Sequence, residues 1–119
     1  MTRAAGGSVA ATLSRVAKYR TLDGTFGALS HPTRRQIVLR LQRGEASVGE
    51  LAAPHRMSLP TISRHISVLE DAGLLFKRKE GREQYCRLAT KPLKEIDVWL
   101  RRFRDVSEMV TTTTEEEIA

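Results

Sequence analysis

The chain contains one cysteine, Cys86, in 119 residues. A single thiol cannot close an intramolecular disulfide, so no cross-linked framework holds this fold. A reducing, cytoplasmic compartment is the simplest setting. No apolar run approaches the ~20 residues that a membrane-spanning helix needs. A glycine-rich phosphate loop, a zinc-hydrolase motif and a convincing nucleophile–base pair are also missing, which argues against an enzyme. There is no internal repeat.

What the chain does have is positive charge. Lys and Arg number 20 against 14 Asp and Glu, for a formal net charge of +6. Its pI of about 10.1 suits a polyanionic partner. The first twenty residues hold Arg3, Arg15, Lys18 and Arg20 and no acid, with many Ala, Ser and Thr. That composition is shared by organellar transit peptides. The reading adopted is a basic N-terminal arm over residues 1–20, partly disordered or extending the first helix. Residues 111–119 hold four threonines and then three glutamates, and read as a disordered acidic tail. Residues 21–110 are left as one domain, small enough that dimerisation would help its stability.

Within that domain, Leu22, Phe26 and Leu29 recur at helical spacing, as do Val9, Leu13 and Val16 before them. Gly24 and Gly27 weaken such a helix by roughly 1 kcal/mol each relative to Ala. Pro32 opens a second helix with Ile37, Val38 and Leu41 as its apolar stripe, and Gly44 stops it. Ser47 and Glu50 fit a capping box ahead of a short third helix through Leu51 and Ala52, which Pro54 ends. A four-residue turn over residues 55–58 follows. Ser58 is a good N-cap for a fourth helix burying Ile62, Ile66 and Leu69, and Gly73 stops it. Residues 74–79 and 84–88 read as two strands, joined through Glu80-Gly81-Arg82-Glu83 by a loop longer than the minimal one. Pro92 opens a last helix with Leu93, Ile96, Trp99, Leu100, Phe103 and Val106 on one stripe.

The expected fold is therefore mainly α with a small β-hairpin: a winged helix-turn-helix. In such a unit the second helix of the pair enters the major groove, which is wide enough for one α-helix. Opposite the stripe Ile62/Ile66/Leu69, helical spacing exposes Pro60, Ser63, Arg64 and Ser67, with Thr61 flanking them. These five are the candidate base-reading residues. Arg64 carries a fork that fits guanine O6 and N7 or a phosphate. Ser and Thr hydroxyls bond bases or backbone, and Pro60 offers only apolar contact. Ser58, His65, Arg78, Lys79 and Arg82 are the candidate backbone contacts. In the hairpin, Lys77, Arg78, Lys79, Arg82 and Arg87 face only Glu80 and Glu83, which suits phosphate binding. The bland alternatives are solvent-facing helix residues and a solvated, charged hairpin.

At these residues the sequence resembles the ArsR/SmtB family of bacterial repressors, over residues 22–106. The likeness rests on Ala28-Leu29-Ser30-His31-Pro32-Thr33-Arg34-Arg35, on Val48-Gly49-Glu50-Leu51-Ala52, on Ser58-Leu59-Pro60-Thr61-Ile62-Ser63-Arg64-His65-Ile66, on Leu69-Glu70-Asp71-Ala72-Gly73-Leu74, and on Gly81-Arg82. The resemblance implies a homodimer built from the first and last helices, with Leu22, Phe26, Ile96, Trp99, Leu100 and Phe103 at the interface. It also implies a repressor bound to a palindromic operator in double-stranded DNA, usually released by an inducer. Two residues depart from the pattern. His31 stands where the family often has Asp before the proline, and Arg56 stands in a turn that generally prefers Gly.

Metal-sensing members carry a Cys-containing box on the third helix or paired His and Asp residues on the last, and neither is present here. The remaining donors, His31, His55, His65 and Cys86, are scattered, whereas metal sites need three or four well-placed ligands. No metal or other cofactor is expected. A transition-metal regulator using an unconventional site stays open as an alternative, as does a winged helix that binds a partner protein. Cys86 shares a strand face with Leu88, and core packing is its favoured role.

Overall fold

The computed structural model describes residues 21–103. The basic arm and the acidic tail expected at the two ends, with Val9 and Val106, lie outside the described residues. Helix α1 is Leu22–Ala28, and the Thr21 side chain accepts from the Gly24 backbone N–H at its start. Helix α2 is Pro32–Leu41. His31 caps it, with Nδ1 accepting from the Thr33 N–H at 3.1 Å, so an imidazole fills the role that Asp plays in the family pattern. The sequence leaves Arg34 and Arg35 merely off the apolar stripe. In the fold they close the carboxyl end of α1. Arg34 Nε donates to the Ala28 carbonyl at 2.6 Å, and Arg35 Nη1 to that of Leu29 at 2.8 Å. A helix end leaves carbonyls without partners and carries partial negative charge, and two guanidinium groups meet both needs.

Strand β1, Ala46–Ser47, comes next and was not legible as a strand. It pairs antiparallel with the second hairpin strand, Ala46 opposite Cys86 and Ser47 opposite Tyr85. Ser47 then serves as N-cap of α3, Val48–Ala52, in the expected capping box. Ala53–His55 forms a 3-10 turn. Arg56 follows in the left-handed region at φ 52°, the conformation for which a glycine is usually chosen. The turn keeps its geometry at the cost of a strained arginine.

Helix α4 is Leu59–Asp71, capped by Ser58 and buried through Ile62, His65, Ile66 and Leu69. Gly73, at φ 78°, turns the chain into the hairpin of β2, Leu75–Glu80, and β3, Glu83–Leu88. The sheet order is β1-β3-β2. The hairpin loop is shorter than expected. Glu80 pairs with Glu83, leaving only Gly81 and Arg82 between the strands. Gly81 has φ 62°, as the first position of a II′ turn requires, and this allows so tight a reversal. Helix α5, Lys91–Arg101, returns to pack on α1.

The core gathers Ile37 and Leu41 of α2, Leu51 of α3, the α4 stripe, Leu74, Leu75 and Cys86. Each fully buried Ile or Leu contributes about 1.5–3 kcal/mol. Cys86 is wholly buried, and burial pushes its thiol pKa up to about 11. The side chain is a packed hydrophobe there, as the strand alternation suggested.

A candidate DNA interface on helix α4 and the hairpin

Helices α3 and α4 meet through Leu51, Ala52 and Ile62, all buried, and Met57 packs on the same core. This packing leaves the opposite face of α4 free. Pro60, Thr61, Ser63 and Arg64 are exposed there and Ser67 is half-buried. The five candidate base-reading residues therefore share one helix face. At its start, Ser58 Oγ accepts from the Thr61 N–H at 3.3 Å and lies 2.9 Å from Thr61 Oγ1. Those two hydroxyls share one hydrogen bond, and Arg64 is in no ion pair among the described residues.

Two expected backbone contacts are placed otherwise. His65 does not face outward. Its ring is buried against His31, with centroids 4.4 Å apart, and its Nδ1 meets Arg34 Nη1 at 3.2 Å. Arginine can only donate, so Nδ1 accepts and the proton of the neutral ring sits on Nε2. Burial holds the His65 pKa below its ordinary value, and His31, Arg34, His55 and Arg64 lower it further. His65 thus ties α4 to α2, with its ring turned into the fold.

Arg78 is also engaged. It grips Glu45 through Nη2 at 2.7 Å and Nε at 3.0 Å, reaches Glu80 at 3.3 Å, and lies over the Tyr85 ring at 4.7 Å. These pairs raise its pKa and lower that of Glu45. The arginine anchors the hairpin to the segment just before β1. Sequence reasoning missed this because the partners are 33 residues apart. Lys77 is paired too, with Glu70 of α4 at 3.1 Å, and Arg87 lies over the Phe76 ring at 5.2 Å. Lys79 and Arg82 are left exposed and outside any ion pair among the described residues.

Three of the six expected interface residues form one aromatic cluster. Phe26 of α1 meets Trp99 of α5 edge to face at 5.5 Å, and Trp99 meets Phe103 at 4.9 Å. Leu22, Ile96 and Trp99 are half-buried, while Phe26, Leu100 and Phe103 keep 41%, 52% and 42% of their surface exposed.

No metal centre assembles from the four candidate donors. His31 and His65 are adjacent, but each commits Nδ1 to a hydrogen bond, and the Cys86 thiol is buried in the hairpin. Among the described residues no three His, Cys, Asp or Glu are grouped to hold a metal ion. No described helix is long and apolar enough to cross a membrane.

A short helix, a tight turn, a second helix with one free polar face and a basic hairpin beside it define a winged helix-turn-helix DNA-binding module. Comparison with known proteins agrees. Residues 29–76 match the family model described as a helix-turn-helix domain. The chain is 32% identical to the transcriptional repressor SdpR of Bacillus subtilis, over 69% of this chain and 91% of that protein. It is 39% identical to the HTH-type transcriptional regulator Rv2034 of Mycobacterium tuberculosis, over 71% and 79% of the two chains. The crystal structure of an ArsR family transcriptional regulator, RHA00566, superposes with a TM-score of 0.68 at 41% identity, covering 73% of this chain and 96% of that one. The chain belongs to the ArsR/SmtB family of winged-helix transcriptional regulators, and it is a DNA-binding regulator of transcription.

Proposed function

We propose that the protein is a cytoplasmic, homodimeric repressor that binds an inverted-repeat operator and carries out no catalysis. The observation that carries this reading is the exposed α4 face of Thr61, Ser63 and Arg64, together with the exposed cations Lys79 and Arg82 of the hairpin that follows. Each α4 would enter one major groove, with half-sites about one helical turn apart. Phe26, Leu100 and Phe103 supply a partly exposed apolar face on the α1–α5 layer, where a second copy would pack. The relative SdpR bears the name of a repressor, which favours repression over activation. The reading includes no resident metal, because the donors present do not converge.

Selection by the full-length protein from a random duplex library, at two salt concentrations, tests this. Recovery of an inverted repeat, with affinity falling steeply as salt rises, is the expected result. Weak binding with no motif would contradict sequence reading, and recovery of a single unrepeated half-site would contradict the dimer.

A further inference from the structure

The first turn of α4 presents an unusual surface for a helix entering a groove of hydrogen-bonding groups. Leu59, its first residue, is 57% exposed. The next residue, Pro60, is exposed too and has no N–H to donate. Ser58 and Thr61, which flank them, are bonded to one another. Between those two hydroxyls the tip presents an apolar surface, made of the Leu59 side chain and the Pro60 ring. Leu39, Val98 and Leu100 are exposed to a similar degree but stand on α2 and α5; on α4, Leu59 is the large apolar side chain left exposed.

Base edges in the major groove are donors and acceptors apart from one apolar group, the C5 methyl of thymine. The N-terminal residues of the second helix are the ones that reach base edges. We propose that the Leu59–Pro60 tip of α4 reads a thymine methyl in each half-site, and that Leu59 makes the discriminating contact. The inference rests on α4 being the reading helix and adds an apolar residue to its polar and charged face.

The test uses full-length protein and the duplex it selects from a random library. Each thymine of a half-site is replaced in turn by deoxyuridine, which lacks only the methyl. At one position the loss should be about fourfold, the effect of one buried methyl-sized group. Leu59→Ala should bind the unsubstituted duplex more weakly and no longer distinguish thymine from uracil at that position, while Leu59→Met keeps the distinction. An unchanged Tm for Leu59→Ala shows that the exposed substitution leaves the fold intact. The proposal is overturned if no uracil substitution weakens wild-type binding, if Leu59→Ala retains the discrimination, or if the selected half-site has no thymine. Failure to select any motif would overturn α4 as a sequence reader, and this inference with it, and so is distinguishable from failure of the methyl contact alone.

Discussion

Helix α4 and the hairpin are both polar surfaces, but they hold their charge differently. On α4 the outward side chains are free: Arg64 has no ion-pair partner among the described residues, and Ser63 is exposed. In the hairpin most cations are already committed. Arg78 is held by Glu45 and Glu80, Lys77 by Glu70, and Arg87 lies on Phe76. The difference separates two tasks. Free groups on a rigid helix can exchange water for base edges, whereas paired groups fix where the hairpin sits. Counting five basic residues in the hairpin overstates the number available to phosphate; Lys79 and Arg82 are the ones left free.

The strongest way to break this contrast is on α4. Arg64→Ala should lose about 1–3 kcal/mol at one base pair of the selected operator and relax specificity there, measured by binding to duplexes carrying each base at each position. Unchanged specificity would mean that α4 does not read sequence through Arg64. A smaller and different effect is expected from Arg82→Ala. Binding should weaken on every duplex alike, and the slope of log affinity against log salt should fall by about 0.9.

Arg78 sharpens the comparison further. As an internal anchor it should leave that salt slope unchanged when replaced by Gln, with stability little altered, as befits an exposed pair. Arg78→Glu and Glu45→Arg should each impair DNA binding, and the double swap should restore part of it. A slope reduced as for Arg82→Ala, with no rescue by the swap, would return Arg78 to the phosphate contacts.

The two regions also differ in their response to acid. The His65 pKa is depressed, so the unfolded chain takes up the proton first as pH falls. Stability from neutral His65 is complete above its unfolded pKa of about 6.5 and is lost as pH falls from there toward the folded value. The Glu45 pKa is also lowered, so the hairpin anchor persists until more acid conditions. Thermal unfolding should therefore show Tm dropping between pH 7.5 and 5.5, with the slope flattened in His65→Asn. A flat wild-type profile would contradict the buried, neutral imidazole.

The order of helices was legible because caps and stripes are local signals. Ser47 with Glu50, Ser58, and Ile62/Ile66/Leu69 each lie within a few turns of chain. The exposed face of Pro60, Thr61, Ser63 and Arg64 followed from that stripe. What failed was non-local or too short to have a period. β1 has two residues, and its pairing with Tyr85 and Cys86 leaves no mark on them. Arg78 and Glu45 are distant in sequence, as are Arg34 and His65, 31 residues apart. The inward turn of His65 did leave a sign. It lies three residues after Ile62 and four before Leu69, so helical spacing already sets it on the buried arc; its polarity suggested the surface instead. The tight hairpin turned on Gly81, where an L-residue would be strained and a longer loop was assumed.

In the proposed complex, α4 of each of two subunits lies in a major groove. Methylation interference on the selected duplex tests it most directly, because guanine N7 faces the major groove and adenine N3 the minor. Interference is expected at guanine N7 in two patches about one helical turn apart, with one guanine in each patch losing its effect in Arg64→Ala. Interference confined to adenine N3, or a single patch, would contradict it.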